Sequence, residues 1–446
     1  MAGIFKAYDV RGVYPTELNE GMAFKIGRSF GKLNPGKIVV GCDVRLSSPS
    51  LKRELIKGLL AAGCDVIDVG MVTTPMVLFA TVFYRFDGGV SVTASHNPKE
   101  YNGFRFNDNR GIPLSYESGI SRIEKLCDKV SAAKGGGTVY TKNIADDYVK
   151  FLASKVKPKT SAGFKVVVDA GNGPAGPVFP KIMRLAGMRV VELFCEPDGN
   201  FPNHHPDPSK KENLVDLQKK VLEEKADVGL ATDGDGDRLG VVDEKGNVVE
   251  PRKVFAILIK ELLRKNPDAK VIYDALASKM IDDTIVQLGG VPIICRVGNT
   301  YIAQKMVSEN ASLAGELSGH YYFKDIFVAD DAMFAALKFM EALSHAGETL
   351  SSYVKEFPDY FSGDARVPVK ESEKLKFIDG LKKEFEKKGF KVDTLDGVKV
   401  ILDNSWALFR PSNTEPKISI AYESTDKKGF EEIKRLVDSI IERIPK

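Results

Sequence analysis

The sequence predicts three similar α/β domains followed by a smaller α+β domain. Three observations carry this. First, 446 residues exceed what one ordinary core accommodates, so about three or four domains are expected. Second, one pattern occurs three times: a run of β-branched residues ending at an aspartate, a helical stretch, a glycine and a second β-branched run. The copies start at Lys37–Asp43, Lys165–Asp169 and Lys270–Asp274, and return at Asp65–Ile67, Arg189–Val191 and Val291–Ile294. Each reads as a β-α-β unit with a glycine closing the helix. Third, the pattern breaks at about Gly363. Two helical segments, Glu373–Lys388 and Lys428–Glu442, then flank strand-like runs at Lys399–Leu402, Trp406–Phe409 and Lys417–Tyr422.

Linker signals fall at Lys134-Gly135-Gly136-Gly137, near Pro251 and at Phe357-Pro358-Asp359-Tyr360. They divide the chain into 1–140, 141–250, 251–358 and 359–446. The net charge of +3 gives no support for a nucleic-acid partner, and no basic run stands out. An anionic small molecule stays compatible, because a basic cleft does not require a basic protein. The five cysteines are scattered without a C-x-x-C. With no apolar leader at the N-terminus and no membrane-length apolar run, this points to a reduced, cytoplasmic protein.

Chemistry concentrates in four loops. In Thr93-Ala94-Ser95-His96-Asn97-Pro98 a serine hydroxyl sits beside an imidazole, where a short buried strand gives way to a turn. A lone serine there is otherwise a turn residue. Asp233, Asp235 and Asp237 alternate with Gly234 and Gly236 between two strand-like flanks. Three carboxylates this close repel without a cation, and oxygen-only donors suit a hard ion such as Mg²⁺. A calcium loop competes, since Glu244 is twelfth from Asp233. But Arg238 takes the sixth place, where that loop needs glycine. A solvated acidic turn is the third reading.

The loop Gly315-Glu316-Leu317-Ser318-Gly319-His320 offers a carboxylate and a hydroxyl suited to neighbouring sugar hydroxyls. His320 is a histidine able to carry a proton near neutral pH. Arg410-Pro411-Ser412-Asn413-Thr414 combines a forked donor, two hydroxyls and an amide, either a phosphate cradle or a plain turn with a surface arginine. Gly171-Asn172-Gly173-Pro174-Ala175-Gly176 matches a dinucleotide fingerprint, with Glu192 about 20 residues on. Pro174, Pro177 and Pro180 crowd the helix start that would face a pyrophosphate, so a tight structural turn is the better reading. His204, His205 and Asp207 suggest a metal site, but their proline-rich loop reads as structural.

The serine, aspartate, GELSGH and RPSNT loops, in this order, resemble those of the α-D-phosphohexomutase family, most closely its phosphomannomutase/phosphoglucomutase branch. The resemblance covers essentially the whole chain and implies four domains around a central cleft. It implies a phosphorylated Ser95 that, with the aspartate triplet, holds Mg²⁺. His96, Arg11, Arg105, Arg238 and His320 become further catalytic residues, Arg11 through the signature Tyr8-Asp9-Val10-Arg11-Gly12. Glu316, Ser318, His320, Arg410, Ser412, Asn413, Thr414 and Lys279 become substrate-binding ones. The implied reaction interconverts hexose 1-phosphate and 6-phosphate, of mannose or glucose. It runs through a hexose 1,6-bisphosphate that also serves as activator, in a monomer or homodimer.

Leu317 and Asn413 depart from the phosphoglucosamine branch, where glutamine and glycine are usual. Three residues depart from the hexose branch: Arg105 for lysine, Leu276 for a basic residue and Asn299 for histidine. These bear on the general base and the sugar preference. Phosphoglucosamine mutase, a nucleotide-dependent oxidoreductase and a non-catalytic sugar-phosphate or calcium-binding protein are the rivals.

Overall fold

The computed structural model describes residues 3–129, 135–156, 163–412 and 417–444. All three expected strand–helix–strand units form. Lys37–Cys42 leads through the helix Ser48–Ala61 to Asp65–Met71. Lys165–Asp169 leads through Phe179–Leu185 to Arg189–Leu193, and Lys270–Asp274 through Lys279–Gln287 to Val291–Cys295. Gly63, Gly187 and Gly289 follow these helices with φ of +90°, +91° and +81°. Only glycine enters that region without steric cost, which is why each helix stops there.

The three sheets share one topology. In each, the first strand lies between two parallel partners, the second and the third. The third strands are Gly88–Val92, Val228–Thr232 and Leu313–Gly315. Each then reverses into an antiparallel neighbour: Tyr101–Asp108, Leu239–Asp243 and Tyr321–Phe323. Shorter edge strands complete each sheet.

The C-terminal unit is a five-stranded antiparallel sheet carrying the helices Glu371–Lys387 and Lys427–Ile441. Two of its strands go unannounced in the sequence. Phe361–Pro368 is an edge strand whose glycine and charges mask the alternation, and Lys391–Asp393 spans only 3 residues. The sheet therefore begins at Phe361, slightly before the break expected near Gly363. The junction near Pro251 is the single residue Glu250, between a strand and the helix Pro251–Lys265. Lys134 lies outside the described residues.

One continuous apolar core runs through the first three units. It includes Val39 and Val77, Val166 and Phe179, and Phe255 and Phe339. The fourth unit has its own core around Phe385, Phe409, Ile420 and Ile433. The helix Ala332–Ala346 is buried on nearly all sides and packs against elements of both the second and third units. Its N-cap, Asp331, accepts from Met333 and Phe334 N–H at 3.0 and 3.1 Å. The helix start is thereby anchored beside the strand that carries Asp330.

Candidate active site

The serine, aspartate and GELSGH loops occupy one topological place in three sheets. Each joins the third strand to its antiparallel neighbour, at the carboxyl end of a parallel strand. Ligands gather at such strand ends. Contacts between the loops build the site.

Ser95 is wholly buried and its φ is +50°, in the left-handed region. Its N–H donates to Thr93 Oγ1 at 2.9 Å. Its hydroxyl donates to Asp233 Oδ2 at 2.8 Å, across the seam between first and second units. His96 Nδ1 lies 3.1 Å from the same hydroxyl. Burial, then Arg238 and Arg11, lower the pKa of His96, so its ring is neutral.

Asp233 Oδ1 accepts three main-chain N–H groups, from Gly236, Asp237 and Arg238, at 3.0, 3.0 and 3.2 Å. These bonds fold the DGDGD turn and aim the other carboxylates inward. Thr74 Oγ1 donates to Asp235 Oδ2 at 2.6 Å, while Asp235 Oδ1 is buried with no hydrogen-bond partner. Donor atoms of the three aspartates lie within 4.8 Å of one another. Burial and the charges of Asp237 and Asp235 raise the Asp233 carboxyl well above its usual range. Burial also opposes ionisation of Asp237, but Arg105, His320 and Arg238 outweigh it and hold its pKa well below. The Arg105 guanidinium stands against the triplet, 3.2 Å from Asp235 Oδ2 and in closer contact with Asp237. An all-oxygen set with two buried oxygens, Asp235 Oδ1 and Asp237 Oδ1, lacking a hydrogen-bond partner fits a hard divalent cation.

Arg238 and His320 pair as an isolated β-bridge that ties the second loop to the third. His320 Nε2 lies 3.3 Å from Asp237 Oδ1. His320 Nδ1 lies 3.2 Å from Glu316 Oε2 and 2.8 Å from Ser318 Oγ. Burial alone favours a neutral ring; Asp237 and Glu316 outweigh it and push its pKa up to about 10. Glu316 is held from behind by the Tyr322 hydroxyl at 2.9 Å and the Gly298 N–H at 3.3 Å. A cavity of about 690 Å³ opens between these loops. The first unit lines it with Arg11, His96 and Arg105, the second with Arg238, the third with Glu316, Ser318 and His320.

Profiles of the phosphoglucomutase/phosphomannomutase family match most of the chain. Its alpha/beta/alpha domains I, II and III match residues 2–134, 146–246 and 250–361, and its C-terminal domain matches 365–440. The chain belongs to this family. Phosphomannomutase/phosphoglucomutase of Pseudomonas aeruginosa is 38% identical, covering 97% of this chain and 94% of its own. Phosphomannomutase of Escherichia coli is 36% identical, covering 94% of each. A phosphoglucomutase/phosphomannomutase family protein of Burkholderia thailandensis superposes with a TM-score of 0.91 at 35% identity, covering 99% of this chain and 97% of its own. The protein is thus a phosphohexomutase, an isomerase that works by phosphoryl transfer.

Some residues that the family resemblance singles out lie away from the cavity lining. Lys279 pairs with Asp283 on its own helix, at 2.5 Å. Arg410 Nε lies 3.2 Å from Asp396 Oδ2, and the Ser412 carbonyl accepts from Lys374 Nζ at 2.8 Å. Asn413 and Thr414 lie outside the described residues. Of the departures from the hexose branch, Arg105 and Asn299 line the cavity, whereas Leu276 packs near Trp406 at the seam with the fourth unit.

The dinucleotide-like stretch Gly171–Gly176 is a turn before a helix of 7 residues, and Glu192 pairs with Arg184 at 2.7 Å. His204 Nε2 bonds Asp169 Oδ2 at 3.0 Å, bracing its proline-rich loop. His205 reaches the cavity lining. Tyr8 enters the sequence reading only within the signature around Arg11, with no role of its own, and Asp330 escapes it. Tyr8 lines the cavity and donates to the Val297 carbonyl at 2.8 Å. Asp330 groups with Asp237 and His320. Its only sequence signal was a pair of aspartates before an apolar helical run, which reads as a helix cap.

Proposed function

We propose that the enzyme interconverts the 1- and 6-phosphates of mannose and glucose, with Ser95 as phosphoryl carrier. One observation carries this: the Ser95 hydroxyl, buried at the seam of two units, lies 2.8 Å from a carboxylate of the aspartate triplet. Mg²⁺ fits that triplet, held by Asp233, Asp235, Asp237 and the serine phosphate, and supplies charge neutralisation for the transferred group. The Ser95 Oγ–P bond breaks as a bond forms from phosphorus to the sugar's free hydroxyl oxygen. The hydroxyl proton leaves to a carboxylate on the cleft wall, while His320, kept protonated between Asp237 and Glu316, adds positive charge beside the transferred group. Arg105 and Arg238 draw the phosphoryl oxygens and shield their charge. The bisphosphate then turns, and its other phosphoryl group returns to Ser95. Added hexose 1,6-bisphosphate restores enzyme that has lost its phosphate.

Glu316 and Ser318 read the C3 and C4 hydroxyls, which glucose and mannose share. Arg410, Ser412, Asn413 and Thr414 serve the non-reacting phosphate, and Lys279 contributes to substrate binding. Arg11 and His96 orient the serine loop: Arg11 donates to Asn97 Oδ1 at 2.8 Å. Domain borders near residues 140, 250 and 358 suit this division of labour. Every residue named comes from one chain, so a monomer or a homodimer serves. Five unpaired cysteines suit a reducing cytoplasm.

Intact-protein mass spectrometry tests the reading: the wild type should carry one phosphate, absent from Ser95→Ala, which should lose nearly all turnover while staying folded. Wild-type-like turnover in that variant rejects it. On sugar choice, kcat/KM for glucose 1-phosphate and mannose 1-phosphate should agree within about two orders of magnitude. Preference for glucosamine 1-phosphate would instead place the enzyme in the other branch.

A further inference from the structure

Arg45 lies outside every motif above, yet it is the most fully engaged cation among the described residues. Its side chain is wholly buried. A guanidinium has five N–H donors, and all are used. Nε donates to Asp43 Oδ2 at 3.0 Å. Nη2 donates to the carbonyls of Ser95 and Asn97 at 2.7 and 2.6 Å. Nη1 donates to those of Pro98 and Tyr101 at 2.7 and 3.0 Å. Four bonds therefore run to the main chain of one loop, the loop that carries Ser95.

The anchor is built as deliberately as the grip. Asp43 Oδ1 accepts from the Ser48 hydroxyl at 2.5 Å and from Arg45 N–H at 3.0 Å. Ser47 and Ser48 in turn accept from Asn102 Nδ2 at 2.8 and 3.0 Å, which binds the far end of the same loop. The second unit closes over the clamp. The Phe201 ring centre is 5.5 Å from the guanidinium, and a Cβ on Gly199 would meet the Val44 carbonyl at 2.2 Å.

We infer that Arg45 is a positioning residue for phosphoryl transfer, holding the Ser95 main chain in one place through both halves of the reaction. This rests on Ser95 being the phosphoryl carrier. The same Oγ gives up one phosphoryl group and later takes back another, with a loose bisphosphate between. Ser95 stands at φ +50°, a conformation a serine does not hold unaided. A loop free to relax would miss the returning phosphate, and the bisphosphate would escape from a dephosphorylated enzyme. Lysine cannot replace the device. Its three donors diverge from one point and cannot bond Asp43 and span four carbonyls.

Arg45→Lys keeps a cation beside Asp43 and removes the fork. Its KM for glucose 1-phosphate should stay within about twofold, while kcat per folded enzyme falls about 10–100-fold. Added glucose 1,6-bisphosphate should stimulate it more than the wild type, and mass spectrometry after turnover should find less phosphate on Ser95. Unchanged kcat and unchanged bisphosphate dependence would overturn the inference, whatever happens to thermal stability. If Arg45→Lys does not fold, Asp43→Asn carries the test. It loosens the anchor but leaves the carbonyl bonds, so a smaller rise in bisphosphate dependence is expected and none overturns the inference. Wild-type enzyme that turns over with no phosphate on Ser95 strikes the phosphoserine reading itself. A phosphorylated wild type matched by Arg45→Lys strikes the clamp alone.

Discussion

Asp235 has one oxygen bonded to Thr74 and one buried and unpartnered. Asp235→Asn keeps the first contact and removes one charge from the triplet. Mg²⁺ should then bind at least ~10–100-fold more weakly, with turnover falling in step. Titrating Mg²⁺ into EDTA-treated enzyme measures both; full activity in excess EDTA with no bound metal rejects the metal reading. His204 makes a different prediction. Burial disfavours its charged form, but Asp169 outweighs this and raises its pKa. A raised folded-state pKa stabilises the protein below the unfolded value, about 6.5, and that contribution is lost as pH rises through the folded value. The pair contributes about 1–3 kcal/mol. The urea midpoint should fall between pH 6 and pH 9, and fall less in His204→Gln. Equal pH dependence in the two proteins would mean that folding leaves the His204 pKa where it is in the unfolded chain.

The site is assembled from loops that approach backbone to backbone. Gly234 shows this between the serine and aspartate loops: a Cβ there would stand 2.5 Å from the Ser95 carbonyl and 3.2 Å from Pro206. Gly234→Ala must push the serine loop off the aspartate loop. Overpacking of this kind costs about 1–3 kcal/mol, and a displacement near 1 Å lowers rate about 100-fold. The expected result is a modest drop in melting temperature with a large drop in kcat. Lost stability with kcat intact would show that the two loops separate without consequence. Element boundaries near this site were legible because β-branched runs and helix-closing glycines announce them. Phe361–Pro368 was not, since an exposed edge strand needs no clean alternation.

At the scale of the molecule, three units share a core and the fourth stands on its own. The seam to the fourth combines a small apolar cluster, Ala275 with Trp406 and Leu408, with polar contacts at Glu423. Glu423 accepts from Lys279 N–H at 2.8 Å and from Trp406 Nε1 at 3.3 Å, and Arg252 lies 3.6 Å from it. Trp406 is the only tryptophan in the chain, so its emission reports this seam. Urea should shift that emission before far-UV circular dichroism reports loss of the larger body. Glu423→Ala removes the acceptor for the Lys279 N–H and the Trp406 indole, which should lower the tryptophan midpoint by about 1 M and leave the later transition in place. A single coincident transition would show that all four units unfold together.

The chain's own order of residues determined the repeated β-α-β units, the separate character of the C-terminal unit and the serine, aspartate and GELSGH loops. Each is local: a periodicity, a turn residue or a cluster of like charges within a few positions. What the tertiary structure decided is how residues far apart meet. Ser95 and Asp233 are 138 positions apart, and Asp237 reaches His320 across two sheets. Arg105 enters the aspartate triplet, a partner that its own strand sequence does not announce. Arg45 belongs to none of the motifs read from the sequence, because a guanidinium's value lies in the carbonyls around it. Those carbonyls belong to backbone, which every sequence has and which only folding aims.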